Sequence, residues 1–315
     1  MNRQEFTFPS ATGVCEISAC AYLPDTEPET VLVIHHGMAE HRKRYEDFIC
    51  FLCGHGIAVY MHDMANHGES NKDIKEAGWF GEEDGWKRLT QDFCTMVQKA
   101  AADYPGKKLI LTGHSMGSLL CRLYMVKHPE GGFDGAILLG TGGPNKAAGP
   151  GLLAAKMIAA VKGKRYRSPF LGKMAFGSYN KRFEGRTDYD WLTRETAAVD
   201  RYIADPSCGF LFTVQGMADL ISANIAVNMP EWYIALPKEL PVLLANGAED
   251  PVGDYGAGVK AVAESLKAAG HEKVTLKLYP ECRHEVLNET NRQEVMEDLL
   301  RWIEGVQVAN TRKTV

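Results

Sequence analysis

Residues 107–128 contain the feature that most constrains the fold, a serine flanked by glycines between a strand-like and a helix-like segment. An apolar run enters Gly-His-Ser-Met-Gly, and a second apolar run leaves it and ends at Pro129. A serine at such a sharp strand-to-helix turn has a strained backbone. Side chains at Gly113 and Gly117 would collide there, so the turn requires glycine at both positions. The pattern predicts a nucleophilic serine, Ser115, at the carboxyl end of a buried strand.

Two further strands are followed by residues that can activate this serine. Serine chemistry needs a base that accepts the hydroxyl proton and an acid that orients the base. Asp250 follows the apolar run 240–246, and His284 follows the strand-like run 273–279. Both therefore lie beyond the carboxyl ends of predicted strands, where open α/β sheets bind their ligands. The order serine, acid, histidine fits enzymes with this turn, so the sequence predicts a catalytic triad of Ser115, Asp250 and His284.

Each of these partners also has a purely structural interpretation. An aspartate before a proline is a common turn residue, and a histidine in a loop is more often solvated than catalytic. Asp219 and Asp254 are alternative acids, but the first falls in the segment assigned below to a lid and the second at the start of a helix. The joint occurrence of three candidates, each after its own strand, favours the catalytic interpretation.

Two main-chain amides are expected to stabilise the negative charge on the substrate oxygen. One belongs to Met116, the residue after the nucleophile. The other is expected after the strand 31–35, where Gly37 lets the chain turn toward the serine and Met38 presents its amide. These donors act on charge that develops in the transition state, so they accelerate the reaction more than they strengthen binding. We expect His36 to brace this loop through hydrogen bonds.

Strand-like and helix-like segments alternate along most of the chain. Residues 86–102 and 295–306 have apolar side chains at the spacing of one buried helix face. A hairpin of residues 6–8 and 15–20 is expected to open the chain. The alternation predicts an α/β protein with a mostly parallel central sheet and helices on both faces.

The alternation is interrupted after Gly142. Glycine and proline residues mark the exit from the preceding strand, and helix-like pieces follow at 152–161 and 190–203 without a clear strand pair. We interpret residues 143–228 as a lid, or cap, inserted into a core formed by residues 1–142 and 229–315. Seven large apolar residues are candidates to line an acyl channel, although most of them are expected to pack the lid onto the core: Phe170, Met174, Phe176, Phe183, Trp191, Met217 and Met229.

Three motifs together resemble the monoacylglycerol lipases and bacterial lysophospholipases, a family of serine aminopeptidase-like α/β-hydrolases. Residues 36–45 are similar to that family's His-Gly-x-x-Glu-His-x-x-Arg-Tyr. Residues 63–70 are similar to Asp-x-x-Gly-His-Gly-x-Ser, except that Ala-Asn stands before His-Gly. Residues 283–289 are similar to the region of the catalytic histidine, and the resemblance extends over residues 6–302.

The resemblance implies an α/β-hydrolase fold with a lid, the triad given above, and hydrolysis of single-chain acyl esters through an acyl-enzyme. It also implies that Glu40 and Arg44 help to form the polar end of the pocket, where a glycerol head group would bind. Leu287 departs from the family, because some monoacylglycerol lipases have a polar contact three residues after the histidine. The resemblance therefore leaves the head group open.

Other functions on the same scaffold also stay open at this point. A serine aminopeptidase needs acidic lid residues to bind a free amine, and the candidates are Glu184, Asp188, Asp190 and Glu195. Acyl transfer uses the same intermediate with an alcohol in place of water. A binding protein without catalysis would be expected to lack a triad member, and this chain has all three.

Charge and hydropathy exclude several broad classes of function. The formal net charge of −5 and the absence of a basic run argue against nucleic-acid binding. No segment has the roughly 18 uninterrupted apolar residues of a membrane span, so at most transient contact with lipid surfaces is expected. The first residues lack the apolar stretch of a signal peptide, which favours a cytoplasmic location.

Cysteines and histidines provide no sign of a cofactor. The eight cysteines are scattered among apolar neighbours and are predicted to be reduced core residues. Cys50 and Cys53 have the redox spacing, but they lie inside a helix-like run. His62, Asp63 and His67 lack the His-x-His pair of hydrolytic metal loops. No cofactor and no catalytic metal is therefore expected.

Overall fold

A central eight-stranded sheet dominates the computed structural model, which describes residues 1–129 and 132–308. The strands are β1 (Asn2–Pro9), β2 (Glu16–Leu23), β3 (Thr30–His35), β4 (Ile57–His62), β5 (Lys108–His114), β6 (Gly135–Leu139), β7 (Val242–Gly247) and β8 (Val274–Tyr279). Their order is β1-β2-β4-β3-β5-β6-β7-β8. The pairs β1–β2 and β2–β4 are antiparallel and the others are parallel, which confirms the predicted sheet.

Helices cover both faces of this sheet. They are α1 (Glu46–Gly54), α2 (Gly85–Asp103), α3 (Met116–Lys127), α4 (Ala148–Lys162), α5 (Pro169–Phe176), α6 (Thr196–Ala204), α7 (Val214–Val227), α8 (Pro230–Ala235), α9 (Ala257–Ala268) and α10 (Arg292–Gly305). Short 3-10 helices occur at Arg42–Tyr45, Gly68–Ser70, Ile74–Glu76, Tyr179–Arg182, Asp190–Leu192 and Val286–Asn288. None of the helices within the described ranges is long and apolar enough to cross a bilayer.

The core has two layers because successive side chains of a strand point to opposite faces of the sheet. In β3, Val31 and Val33 face one layer, which contains Phe93 of α2. Leu32 and Ile34 of the same strand face the other layer, which is formed with α1 and α10. β3 is therefore an almost continuous apolar run, as expected for a parallel strand covered on both sides.

The insertion between β6 and β7 contains the helices α4 to α8 and, within the described residues, no strand. The predicted helix over 190–203 is wrong as a single element, because a 3-10 turn at Asp190–Leu192 and α6 replace it. Thr193 is extended between them, with φ −163° and ψ 157°, and the Glu195 side chain caps α6. The break matters for the fold, because the backbone of this 3-10 turn forms hydrogen bonds with the loop after β8.

The hairpin at the start of the chain is longer than its apolar pattern indicated. β1 and β2 pair over their full lengths, from Asn2 opposite Leu23 to Pro9 opposite Glu16. The residues outside the predicted segments are mostly exposed in β1, so backbone hydrogen bonds rather than burial extend this strand.

Candidate active site

Ser115 occupies the sharp turn between β5 and α3. Its φ of 51° and ψ of −120° lie outside the regions that side chains prefer, a strain that costs about 1–3 kcal/mol. The Ser115 amide donates to the carbonyl of Leu139 at 2.9 Å, which ties the turn to β6. A side chain at Gly113 would overlap the backbone of Gly117, and one at Gly117 would overlap the carbonyl of His35. Close backbone approach therefore explains both glycines of the motif.

Asp250 and His284 form a buried pair beyond the ends of β7 and β8. The His284 Nδ1 atom lies 3.0 Å from Oδ1 of Asp250, and both residues are almost inaccessible to solvent. The carboxylate also accepts the amide of Val252 at 2.8 Å and the side-chain amide of Asn246 at 3.2 Å. These donors hold the carboxylate in place, so a neutral His284 carries its proton on Nδ1 and keeps Nε2 as the basic nitrogen.

The surroundings of His284 place its ring close to the nucleophile turn. A Cβ atom at Gly140 would lie 3.0 Å from its Cε1 atom, and Gly140 directly follows the residue that accepts the Ser115 amide. The ring of His114 lies 4.8 Å from the His284 ring, and that of Trp191 lies 5.2 Å from it. All three residues of the predicted triad therefore lie beyond the carboxyl ends of their strands, with Asp250 and His284 paired and the His284 ring beside Gly140.

The two alternative acids lie elsewhere. Asp219 faces the start of α2, where its Oδ2 atom would lie 2.6 Å from a Cβ atom at Gly85. Burial raises the pKa of Asp219 to about 7. Asp254 lies in the turn before α9, where its amide donates to the carbonyl of Pro251.

The loop after β3 reaches the nucleophile as expected. A Cβ atom at Gly37 would lie 3.2 Å from Cβ of Ser115. The Gly37 amide donates to Glu40 at 2.6 Å and the Ala39 amide to Nε2 of His67 at 3.3 Å. These bonds orient the loop and leave the amide between them, that of Met38, as its candidate oxyanion donor.

Two further features support this arrangement of donors. His36 braces the loop as predicted, because its Nε2 accepts the Met64 amide and its Nδ1 bonds to the Gly37 carbonyl, both at 2.8 Å. Met116 is the first residue of α3, so its amide has no acceptor within the helix. The amide also lies at the positive end of the helix dipole, which favours a developing anion.

Glu40 and Arg44 belong to a buried network of charges beside the loop. Nη1 of Arg44 lies 2.6 Å from Glu40, and the same guanidinium forms two bonds of 2.6–2.7 Å with Glu285. Glu40 also accepts the Tyr45 hydroxyl at 2.8 Å and Nδ1 of His114 at 3.0 Å. Because protein groups occupy both carboxylate oxygens, the structure gives Glu40 a bracing role, and a head-group contact stays a prediction.

The protonation of this network follows from its neighbours. Burial alone would raise the pKa of Glu40, but the hydrogen bond from His114 and the charge of Arg44 hold it well below its usual range. Burial opposes a proton on His114, yet the bond and charge of Glu40 raise its pKa. Because the Glu40 carboxylate stays ionised, its hydrogen bond with the Gly37 amide is stronger than a bond between neutral groups.

The sequence did not indicate several residues that shape this site. Glu285 pairs with a residue 241 positions away, a contact that no local pattern shows. His114 occupies a variable position of the serine motif, and its bond to Glu40 has no sequence signal. Trp191 was proposed only as a lid aromatic, whereas its carbonyl accepts the His284 amide at 3.4 Å.

The apolar residues proposed for an acyl channel have different environments. Phe170, Met174 and Met229 are exposed, and Met217 is buried in the main core. Arg283 lies over the Phe183 ring at 4.2 Å. These five side chains therefore do not share one environment.

Comparison with known proteins places the chain in one family. A model of the serine aminopeptidase S33 family matches residues 26–291, so the chain belongs to this family. A monoacylglycerol lipase of Mycolicibacterium smegmatis is 30% identical over 307 residues, which cover 96% of this chain and 97% of the relative. A monoglyceride lipase of Homo sapiens is 27% identical over 270 residues, 84% of this chain and 78% of the relative.

Solved structures agree with these relatives. A thermostable carboxyl esterase from Bacillus coagulans, crystallised in complex with glycerol, has a TM-score of 0.91 and 29% sequence identity. The match covers 97% of this chain and 99% of that esterase. The chain is thus an α/β-hydrolase, and it is a serine hydrolase that cleaves carboxylic esters.

Proposed function

We propose that the enzyme hydrolyses esters of single-chain lipids, such as monoacylglycerols or lysophospholipids, through an acyl-enzyme on Ser115. The observation that carries the proposal is the buried pair of Asp250 and His284, 3.0 Å apart, beside a strained serine turn. The named activity of the Mycolicibacterium relative and the glycerol bound to the Bacillus esterase support a small glycerol ester as substrate.

The proposed mechanism assigns one step to each group. Nε2 of His284 takes the proton of Ser115 as its oxygen attacks the ester carbonyl, and Asp250 keeps the imidazole in the required tautomer. The amides of Met38 and Met116 stabilise the tetrahedral oxyanion. His284 then protonates the leaving alcohol, water attacks the acyl-enzyme with His284 as base, and the fatty acid leaves.

We assign Glu40 and Arg44 to the polar end of the pocket, where they act on the substrate through the loop that they hold. Glu40 fixes the Gly37 amide at 2.6 Å, and this residue precedes the proposed donor Met38. Arg44 joins Glu40 to Glu285, the neighbour of His284. The network thus connects the proposed oxyanion donor with the proposed base.

The segment 143–228 is proposed to act as a lid that touches lipid surfaces. Leu153, Met157 and Val161 repeat every fourth residue along α4 and are 61–81% exposed. Phe170 and Met174 of α5 are 48–64% exposed. Exposed lysines of α4 flank this apolar strip, so the surface combines apolar contact with attraction to anionic lipid.

The aminopeptidase alternative has less support from the contacts of the lid. Glu184 forms an ion pair with Arg283 at 2.7 Å, and Asp190 accepts the Thr187 hydroxyl at 2.6 Å. Glu195 caps α6. Three of the four acids proposed to bind a free amine are therefore engaged with the protein.

A cytoplasmic location is proposed from the thiols. All eight cysteines are free in the structure, and thiols persist in reducing compartments. Fractionation of the source cells with an antibody to the chain tests the location directly.

Labelling with a fluorophosphonate probe tests the nucleophile. We expect the wild type to be labelled and Ser115→Ala to stay unlabelled, with turnover reduced by about three to six powers of ten and an unchanged melting temperature. Ser118→Ala is the matched control, because Ser118 lies one helical turn away and bonds to the Ser115 carbonyl. Labelling of Ser115→Ala at the wild-type level would contradict the assignment.

A substrate panel tests the chemical class. The same preparation is assayed on monoacylglycerols, lysophospholipids, p-nitrophenyl esters and aminoacyl anilides, and release of free fatty acid is measured. We expect the highest kcat/KM on a single-chain lipid ester. A higher kcat/KM on the anilides would refute the lipid proposal, and acyl transfer to added glycerol in place of hydrolysis would refute hydrolysis.

A further inference from the structure

Three metal-ligating side chains meet where the lid contacts the loop after β3. The donor atoms of His41, Asp205 and Cys208 lie within 4.8 Å of one another, the one such group of three found in residues 1–129 and 132–308. His41 follows directly on the oxyanion loop, whereas Asp205 and Cys208 lie between α6 and α7. We propose that these three residues bind a thiophilic divalent cation such as Zn²⁺, with water as a fourth ligand.

Hydrogen bonds connect the residues of the cluster. Nε2 of His41 lies 2.8 Å from Oδ2 of Asp205, so these two donors converge on one point. The other carboxylate oxygen of Asp205 accepts the Ser207 amide at 2.8 Å, and the Asp205 carbonyl accepts the Cys208 amide at 3.0 Å. These bonds hold the turn that carries both lid ligands, and a bound cation would replace the hydrogen bond between His41 and Asp205.

The donor set and its burial fit zinc rather than a hard cation. Imidazole, thiolate and one carboxylate are ligands of tetrahedral Zn²⁺ sites, whereas Mg²⁺ and Ca²⁺ require a shell of oxygen atoms. His41 and Cys208 are 8–9% exposed, and the Asp205 side chain is 34% exposed, which provides a route for the ion. Binding forms a Zn–S bond, breaks the S–H bond of Cys208 and releases its proton to the buffer.

A cation here would join the lid to the loop that holds the proposed oxyanion donor. The Ala39 carbonyl accepts the Gly209 amide at 3.0 Å and the Tyr202 hydroxyl at 3.1 Å, so the lid already docks next to the cluster. The ion adds a cross-link between these two segments and stabilises their contact. No residue of the proposed triad belongs to the cluster, so this inference does not rest on the proposed function.

Equilibrium dialysis of chelator-treated enzyme against Zn²⁺ tests the site. We expect the wild type to bind one equivalent, and Cys208→Ser and His41→Gln to bind at least about tenfold more weakly. Cys50→Ser and His55→Gln are the matched controls, because both residues are exposed and lie outside the cluster. The controls should bind like the wild type.

Spectroscopy and melting separate this site from binding to other thiols. Co²⁺ is expected to produce a thiolate charge-transfer band that Cys208→Ser lacks and Cys50→Ser retains. Zn²⁺ should raise the melting temperature of the wild type and leave that of Asp205→Asn unchanged; this variant keeps the side-chain shape at a partly exposed position. A wild type that binds no Zn²⁺, or binding that survives in both Cys208→Ser and His41→Gln, would overturn the proposal.

Discussion

Two buried imidazoles at the ends of β3 and β4 are expected to make the fold sensitive to acid. His35 and His62 are fully buried, their rings lie 4.9 Å apart, and none of their four ring nitrogens has a hydrogen-bond partner among the described residues. Burial is the main cause that lowers the pKa of both rings, to about 3 for His62. The folded protein therefore holds these rings neutral.

The size of the effect follows from proton linkage. In the unfolded chain a histidine has a pKa near 6.5, so below that pH the unfolded state binds a proton that the folded state refuses. Above pH 6.5 this difference in proton binding costs the folded state no stability. As the pH falls from 6.5 toward the folded pKa of about 3, the unfolded state alone gains the proton of His62, and the free energy of unfolding decreases. Between pH 7 and pH 5 the loss is about 2 kcal/mol.

The variant His62→Phe removes this proton site and keeps a ring in the gap between Phe8 and His35. Urea unfolding of variant and wild type at pH 7 and pH 5 measures the effect. We expect the variant to lose about 2 kcal/mol less than the wild type between the two pH values. At pH 7 it should be at least as stable as the wild type, since an unpaired polar group is replaced by an apolar one of similar shape.

The control is His55→Gln, because it also removes one imidazole but from an exposed position. An equal loss of stability in His62→Phe and wild type would refute the argument from buried neutral histidines.

Three further outcomes follow from contacts described above. Arg44→Met leaves two buried carboxylates without their cation and should lower the free energy of unfolding, measured in urea, by about 3–5 kcal/mol. Arg301→Met removes an exposed pair and should lower it by less than about 1 kcal/mol. Equal losses in the two variants would contradict the buried network. Because burial raises the pKa of Asp219 to about 7, the folded state binds a proton below that pH that the unfolded state does not bind until lower pH. From pH 8 to pH 5 the free energy of unfolding of the wild type should therefore rise by roughly 2–3 kcal/mol relative to that of Asp219→Asn in the same assay. Met157→Asp should reduce co-sedimentation with anionic vesicles and leave hydrolysis of a soluble p-nitrophenyl ester unchanged; undiminished sedimentation would argue against lipid contact through α4.

The parts of the fold that could be predicted are those with a local signal. β3 to β7 are apolar runs because the sheet is covered on both sides, and each run is visible without its neighbours. Asp250 and His284 could be found because both follow such a run. Their proximity could also be predicted, because the carboxyl ends of parallel strands meet at one edge of a sheet.

The remaining features depend on contacts between distant residues. The break at Thr193 could not be predicted, because it is stabilised by the loop after β8 rather than by a proline or glycine. The four hydrogen-bond partners of Glu40 could not be predicted either, because the motif shows only that this position is acidic. Sequence patterns indicate which residues are buried, but a specific ion pair depends on the full three-dimensional arrangement.

The lid backbone also holds the loop of the proposed base, and this has a consequence for engineering. The carbonyls of Trp191 and Leu192 accept the amides of His284 and Glu285, the second at 2.7 Å. A chimera that receives the cap of another esterase would therefore also lose the native backbone contacts that hold the His284 loop. Substrate range and turnover should change together in such hybrids unless the native 190–193 turn is retained.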